Sequence, residues 1–151
     1  MSDGQRHLLV EPLFDLTMEV GQRVDIGLLP SGTRRYIAHI SGGSFSGARL
    51  RGRVMSGGAD WLAIRDDGHA QLDIRMVLQT DDGVPIYVSS GGLLSPARQS
   101  HGDDESAPLT MRIFMTFETS DADYIWLNDV VAFARGEAGP DGIIYRVFEM
   151  V

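Results

Sequence analysis

Residues 56 to 68 read SGGADWLAIRDDG, and the Asp60-Trp61 pair inside them raises the first chemical question. A carboxyl group in apolar surroundings has its charged form disfavoured and its pKa raised, which suits a general base working near neutral pH. Asp60 is therefore a candidate catalytic base, with Trp61 a candidate ligand wall, although a polar turn corner behind two glycines would read the same way. Other polar side chains sit inside strand-like runs. In QLDIRMVLQ, Asp73 and Arg75 share one face two positions apart, and in MRIFMTFET Arg112 occupies the polar face. The stretch DADYIWLNDVVAFARG reads as an extended run with Tyr124, Trp126, Asn128 and Val130 on one face. Two aromatics beside a carboxamide make an amphipathic wall of the kind that orients small molecules, or they fill a core. Tyr124, Asn128 or Arg75 would stabilise an oxyanion as it develops.

The composition removes several chemistries. The 151 residues contain no cysteine, so thiol nucleophiles, thiolate metal sites and disulfides are absent together. All 13 basic residues are arginine, which leaves no side-chain amine for Schiff-base chemistry or for a phosphate-loop lysine. His7, His39, His69 and His101 stand singly with no metal-ligand spacing, so no metal site is expected. The glycine-rich SGGSFSG lacks the strand-to-helix context of a nucleophile elbow and the helix of a phosphate cradle. No cofactor motif is present. A net charge of -8 repels phosphate backbones and anionic lipid heads, so nucleic acid and membrane surfaces are not expected partners. The N-terminal MSDGQRHLLVEP carries no signal-like apolar segment, and no apolar run approaches membrane-spanning length; a soluble, cytoplasmic protein is expected.

The elements that position these residues are strands. In GARLRGRVM, Ala48, Leu50, Gly52 and Val54 alternate with three arginines. In QLDIRMVLQ, Leu72, Ile74, Met76 and Leu78 alternate with Gln71, Asp73, Arg75 and Gln79, while Met111, Ile113, Met115 and Phe117 share one face of MRIFMTFET. LLVEPLFDLTMEV follows the same period, broken at Pro12 as an edge or bulge would break it. Asp-Asp-Gly at 66–68 and 81–83 and Pro-Asp-Gly at 140–142 are three hairpin turns, because Asp-Gly supplies the positive φ that tight turns require. Nine or ten short strands at this spacing predict an all-β chain forming one small antiparallel β-barrel over residues 1–151. A long irregular loop is expected at about 89–109, rich in Gly, Ser and Pro, with His101 in it. If the apolar strand faces pack inward, Asp73, Arg75 and Arg112 form a solvated exterior. If those faces pack against an outer layer or subunit, the three line the lumen. Periodicity alone does not choose.

In order along the chain, ISGGSFSGARLRGRVMSGGADW, LDIRMVLQTDDGVPIYV, RIFMTFETS, YIWLNDVVAFARG and the closing IYRVFEMV resemble domain-of-unknown-function family 3237, also called uncharacterised protein family 0311. The resemblance covers nearly the whole chain after about residue 7 and implies a lipocalin-like barrel. It also implies that Gly58, Asp60, Trp61, Asp73, Arg75, Thr80, Asp82, Gly83, Tyr87, Arg112, Phe117, Tyr124, Trp126, Leu127 and Asn128 are family-pattern positions. Met76 departs from the pattern, standing where an aromatic is expected. The expected function is binding of a small, partly apolar or aromatic organic molecule. The barrel would act on it as a cofactor-independent acid/base enzyme of isomerase, cyclase or lyase type, with Asp60, Tyr124 and Arg75 catalytic. Trp61, Asp73, Tyr87, Arg112, Trp126 and Asn128 would line the ligand. A carrier that leaves its ligand unchanged uses the same cavity, and a purely structural barrel would fill it with side chains. Apolar residues on both strand faces point to a homo-oligomer.

Overall fold

The computed structural model describes Gly4 and residues 6–96, 110–139 and 142–151. Nine antiparallel strands run in chain order: β1 (Val10–Leu28), β2 (Arg34–Ser46), β3 (Arg51–Val54), β4 (Ala59–Ile64), β5 (Ala70–Thr80), β6 (Pro85–Leu94), β7 (Thr110–Glu118), β8 (Val131–Gly139) and β9 (Gly142–Met150). They close into a ring, because β1 pairs with β9 on one side and β2 on the other. Both β3 and β4 pair with β2 and with β5, so they lie end to end in one slot. The cylinder thus has eight strand positions, a width that side chains alone can fill or that holds one small ligand. The all-β barrel expected from the alternating runs is the fold found. Among the described residues, no helix is long and apolar enough to cross a membrane.

Alternation decides which side chains enter the lumen. On β5, Leu72, Ile74, Met76 and Leu78 are buried while Gln71, Asp73 and Arg75 are exposed; on β7, Met111, Ile113, Met115 and Phe117 are buried while Arg112 is exposed. The apolar faces therefore pack inward, which resolves the choice that periodicity left open. At the end where β1 begins the lumen is solid, with Phe14 edge-on to Phe45 at 5.6 Å and to Phe117 at 6.0 Å. The register of β1 slips between Pro12 and Phe14, and this bulge lets consecutive Leu13 and Phe14 both turn inward. Gly68 and Gly83 close the two Asp-Asp-Gly turns with φ of 83° and 88°, in the left-handed region that favours glycine. β8 and β9 pair down to Gly139 opposite Gly142; Pro140 and Asp141 between them lie outside the described residues.

Two expectations need correction. The expected irregular segment at 89–109 begins too early, because Ser89, Ser90, Gly91 and Gly92 belong to β6 and pair with both β5 and β7. Serine and glycine are weak strand formers, but a slot hydrogen-bonded on both sides overrides that preference. A Cβ at Gly92 would stand 2.0 Å from the Arg112 carbonyl oxygen, so glycine there serves close strand approach. Residues 97–109, including His101, lie outside the described residues. The run 124–131 is not extended throughout: Ile125–Asp129 form a 3-10 turn, and the chain is extended again only from Val130 into β8. On β2, His39 is exposed, whereas its neighbours Ala38 and Ile40 are buried.

Candidate functional site

Above the packed half, the barrel holds a cavity of about 710 Å³ that opens at the end where β1 finishes. Its wall is mostly apolar and includes Met18, Leu62, Leu72, Met111 and Ile143; the exceptions include Asp60 and, toward the rim, Arg23 and Tyr36. Asp60 reaches the lumen from the start of β4. A Cβ at the preceding Gly58 would lie 2.5 Å from the Arg75 carbonyl oxygen, so only glycine lets the chain enter β4 this close to β5. Ala59 and Asp60 are then both buried, and Trp61 turns outward.

Asp60 is 7% exposed, and its Oδ1 accepts one hydrogen bond, 3.0 Å from the Asp73 backbone N–H. Burial pushes its pKa up to about 6, the Asp73 N–H holds it back, and the nearby Asp73 carboxylate adds to the rise. Beside Met111 of the cavity wall lies Tyr145 of β9, 1% exposed, whose hydroxyl reaches only the Met111 sulfur among the described residues, at 3.9 Å. Burial, and then the charge of Asp60, push the Tyr145 phenol above its usual range, so it stays protonated. The ring fits because β8 carries Gly136 beneath it: a Cβ there would lie 2.7 Å from Tyr145 Cε1. Tyr145 was not among the expected site residues. Its signals were a tyrosine on the apolar face of IYRVFEMV and a glycine inside a strand, both readable as ordinary packing.

The other expected residues do not join Asp60. Asp73, Arg75, Trp61, Tyr87 and Arg112 are outside the cylinder, on the exposed strand faces. Arg75 Nε stands 3.7 Å from Asp73 Oδ1 and its guanidinium 5.8 Å from the Trp61 ring centroid, a solvated surface cluster. Tyr124, Trp126 and Asn128 gather at the closed end, opposite the cavity mouth. There the Tyr124 hydroxyl donates to Asp82 Oδ1 at 2.9 Å, an oxygen that also accepts from Thr80 Oγ1 at 2.5 Å. These bonds hold the Asp82 carboxyl below its usual range and the Tyr124 phenol above its own. Asn128 donates to the carbonyls of Thr119 and Ile125 at 2.8 and 2.9 Å and accepts from the Thr119 N–H at 3.2 Å. Trp126 lies under the Arg49 guanidinium at 4.0 Å, and Arg49 is ion-paired to Glu149. The catalytic trio of Asp60, Tyr124 and Arg75 is therefore dispersed, because strand alternation turns Arg75 outward and the 3-10 turn carries Tyr124 to the far end. Among the described residues, no three His, Cys, Asp or Glu side chains cluster as metal ligands would.

A UPF0311 protein of Clostridium acetobutylicum is 26% identical over 147 residues, covering 93% of this chain and 92% of its own. The crystal structure of a protein of Acinetobacter baumannii described as β-barrel-like superposes with a TM-score of 0.89 at 29% identity, covering 99% of this chain and all of its own. A crystal structure described as an enzyme from Penicillium herquei shares the fold at 19% identity, with a TM-score of 0.73 and full coverage of both chains. The model of the DUF3237 family, proteins of unknown function, matches residues 9–150, and the chain belongs to that family.

Proposed function

We propose that this barrel binds a small, largely apolar molecule in its open half and moves a proton on it, with Asp60 as the base. The observation that carries the reading is a buried carboxyl on an apolar cavity wall with its pKa at about 6. Such a group is ionised at neutral pH yet close to the pH at which proton transfer is most efficient. Tyr145, held in its protonated form, is the donor for an oxyanion developing on the ligand. Its present bond to a thioether is weak, so turning the hydroxyl toward a ligand sacrifices little. Arg75 and Tyr124 have no part in this scheme. The Penicillium herquei barrel, described as an enzyme, supports the scaffold's suitability for catalysis.

The test needs no known substrate. A panel of small ketones, lactones and phenolic esters is incubated with the protein in D2O and followed by NMR. At least one member should exchange a carbon-bound proton or convert, with a rate that rises through pH of about 6. Asp60→Asn should slow it by a factor on the order of 100 or more. An unaltered rate in Asp60→Asn would rule out the assignment. A second reading, a carrier, draws on how apolar the rest of the wall is; it predicts ligands that bind and return unlabelled. We also infer that copies associate through the outer face of β7 to β9, where Phe114, Val131, Phe133 and Met150 are exposed together.

A further inference from the structure

The cavity that holds Asp60 is also bordered, at its rim, by a cation that an irregularity of β1 brings there. Along that strand Met18 is buried and Val20 lines the cavity, so strict alternation would turn Gln22 inward and Arg23 to solvent. The register slips instead. Val20 is opposite Ile40 but Arg23 is opposite Ala38, three steps on β1 against two on β2. The extra residue rotates the strand, and Arg23 joins the cavity lining. Ala38, buried, is in turn the partner of Asp60 on β4. Arg23, exposed at the rim, and the buried Ala38 and Asp60 thus form one row across three neighbouring strands, and two interstrand spacings set the outer pair roughly 10 Å apart at the backbone. The residue between them carries only a methyl group.

Arg23 differs from most arginines of the barrel in having no protein partner among the described residues. Arg34, Arg49, Arg51, Arg65 and Arg75 each face a carboxylate, Arg35 donates to the Trp61 carbonyl and Arg53 to Gln79. Glu19, also at the rim, has its carboxylate against Gly42, its partner on β2. A cation at the mouth, an apolar wall and a buried acid deeper on the same row define a complementary ligand. Building on the proton-transfer reading of Asp60, we infer that the barrel's ligands are amphiphilic anions. One carboxylate-like group pairs with Arg23, and the apolar body lies over Ala38 and carries the reacting carbon to Asp60. The chain's charge of -8 gives an anion no long-range attraction, so selectivity arises from this contact, where a guanidinium binds an oxyanion in bidentate geometry.

Two fluorescent probes of nearly the same skeleton separate the parts of this inference: anilinonaphthalene sulfonate, which carries one anionic group, and phenylnaphthylamine, which carries none. Titration into the intact protein should show tighter binding of the sulfonate. Arg23→Gln should weaken the sulfonate roughly tenfold, the size expected for one charge-assisted contact, and leave the neutral probe unchanged. Ala38→Phe, which fills the space between the two charged residues, should expel both. The outer groove beside Phe114 and Phe133 also carries arginines, Arg112 and Arg135, so Arg135→Gln is the control for surface binding. Loss of sulfonate affinity in Arg135→Gln in place of Arg23→Gln overturns the inference. Equal affinities of the two probes, with Ala38→Phe still expelling them, overturn it while leaving the lumen reading of Asp60 standing. Failure of both probes to enter the lumen overturns both.

Discussion

A carboxyl with a pKa of about 6 in the folded chain and 3.8 ordinarily is a liability that folding tolerates. Because the folded value is the higher, Asp60 favours the folded state below pH of about 4 and loses that contribution as pH rises through about 6. At neutral pH the ionised, buried group opposes folding by up to roughly 3 kcal/mol. Asp60→Asn keeps an oxygen to accept the Asp73 N–H and removes the charge. Urea denaturation should therefore find the variant more stable than the parent at pH 7.5, with the advantage shrinking by about 2 to 3 kcal/mol toward pH 4. A difference that does not change with pH would show Asp60 to be solvated. Tyr145 illustrates what residue type alone conceals: the same phenol is a core filler or a donor depending on whether a carboxylate faces it, and that carboxylate lies 85 positions away in the chain.

At the scale of elements, the informative failure is the segment after β7. The residues YIWLND alternate as a strand would, yet they form a 3-10 turn whose hydrogen bonds run from Leu127 N–H to the Tyr124 carbonyl and from Val130 N–H to the Leu127 carbonyl. No strand slot was vacant for them, and the closed end of the barrel needed a plug; Leu127, fully buried, is that plug. Asn128 then acts as a clamp between this turn and Thr119. Asn128→Ala should lower stability by about 1 to 3 kcal/mol in thermal or urea unfolding while leaving probe binding in the lumen unchanged. Loss of probe binding at unaltered stability would return Asn128 to the list of ligand contacts. The two Asp-Asp-Gly turn signals fall where adjacent strands meet, because positive φ is a local demand that glycine meets whatever surrounds it.

For the whole molecule, ring closure pairs most strand edges, with β1 beyond Met18 paired to β2 alone among the described residues, and the outer side-chain face is the broad surface left for association. Phe114, Phe133 and Phe148 follow one another across β7, β8 and β9, and beside them Arg112, Arg135 and Arg146 form a parallel row. Three like charges on adjacent strands repel one another, and with a total of -8 the remainder of the chain is acidic enough to complement them in another copy. Sedimentation should give a mass above that of one chain, falling toward one chain in Phe114→Ser and at high salt. A parent protein that sediments as one chain at all concentrations would refute the association. The sequence by itself determined the barrel, since period-two alternation, Asp-Gly turns and the lack of helical periodicity are properties of neighbours a few residues apart. What only the tertiary structure decided was which face is inside, that Tyr145 rather than Tyr124 feels the charge of Asp60, and that a one-residue slip in β1 brings Arg23 to the cavity rim. Those outcomes depend on ring closure and on register between strands distant in the chain, and a one-residue change of register exchanges inside for outside without altering the local pattern.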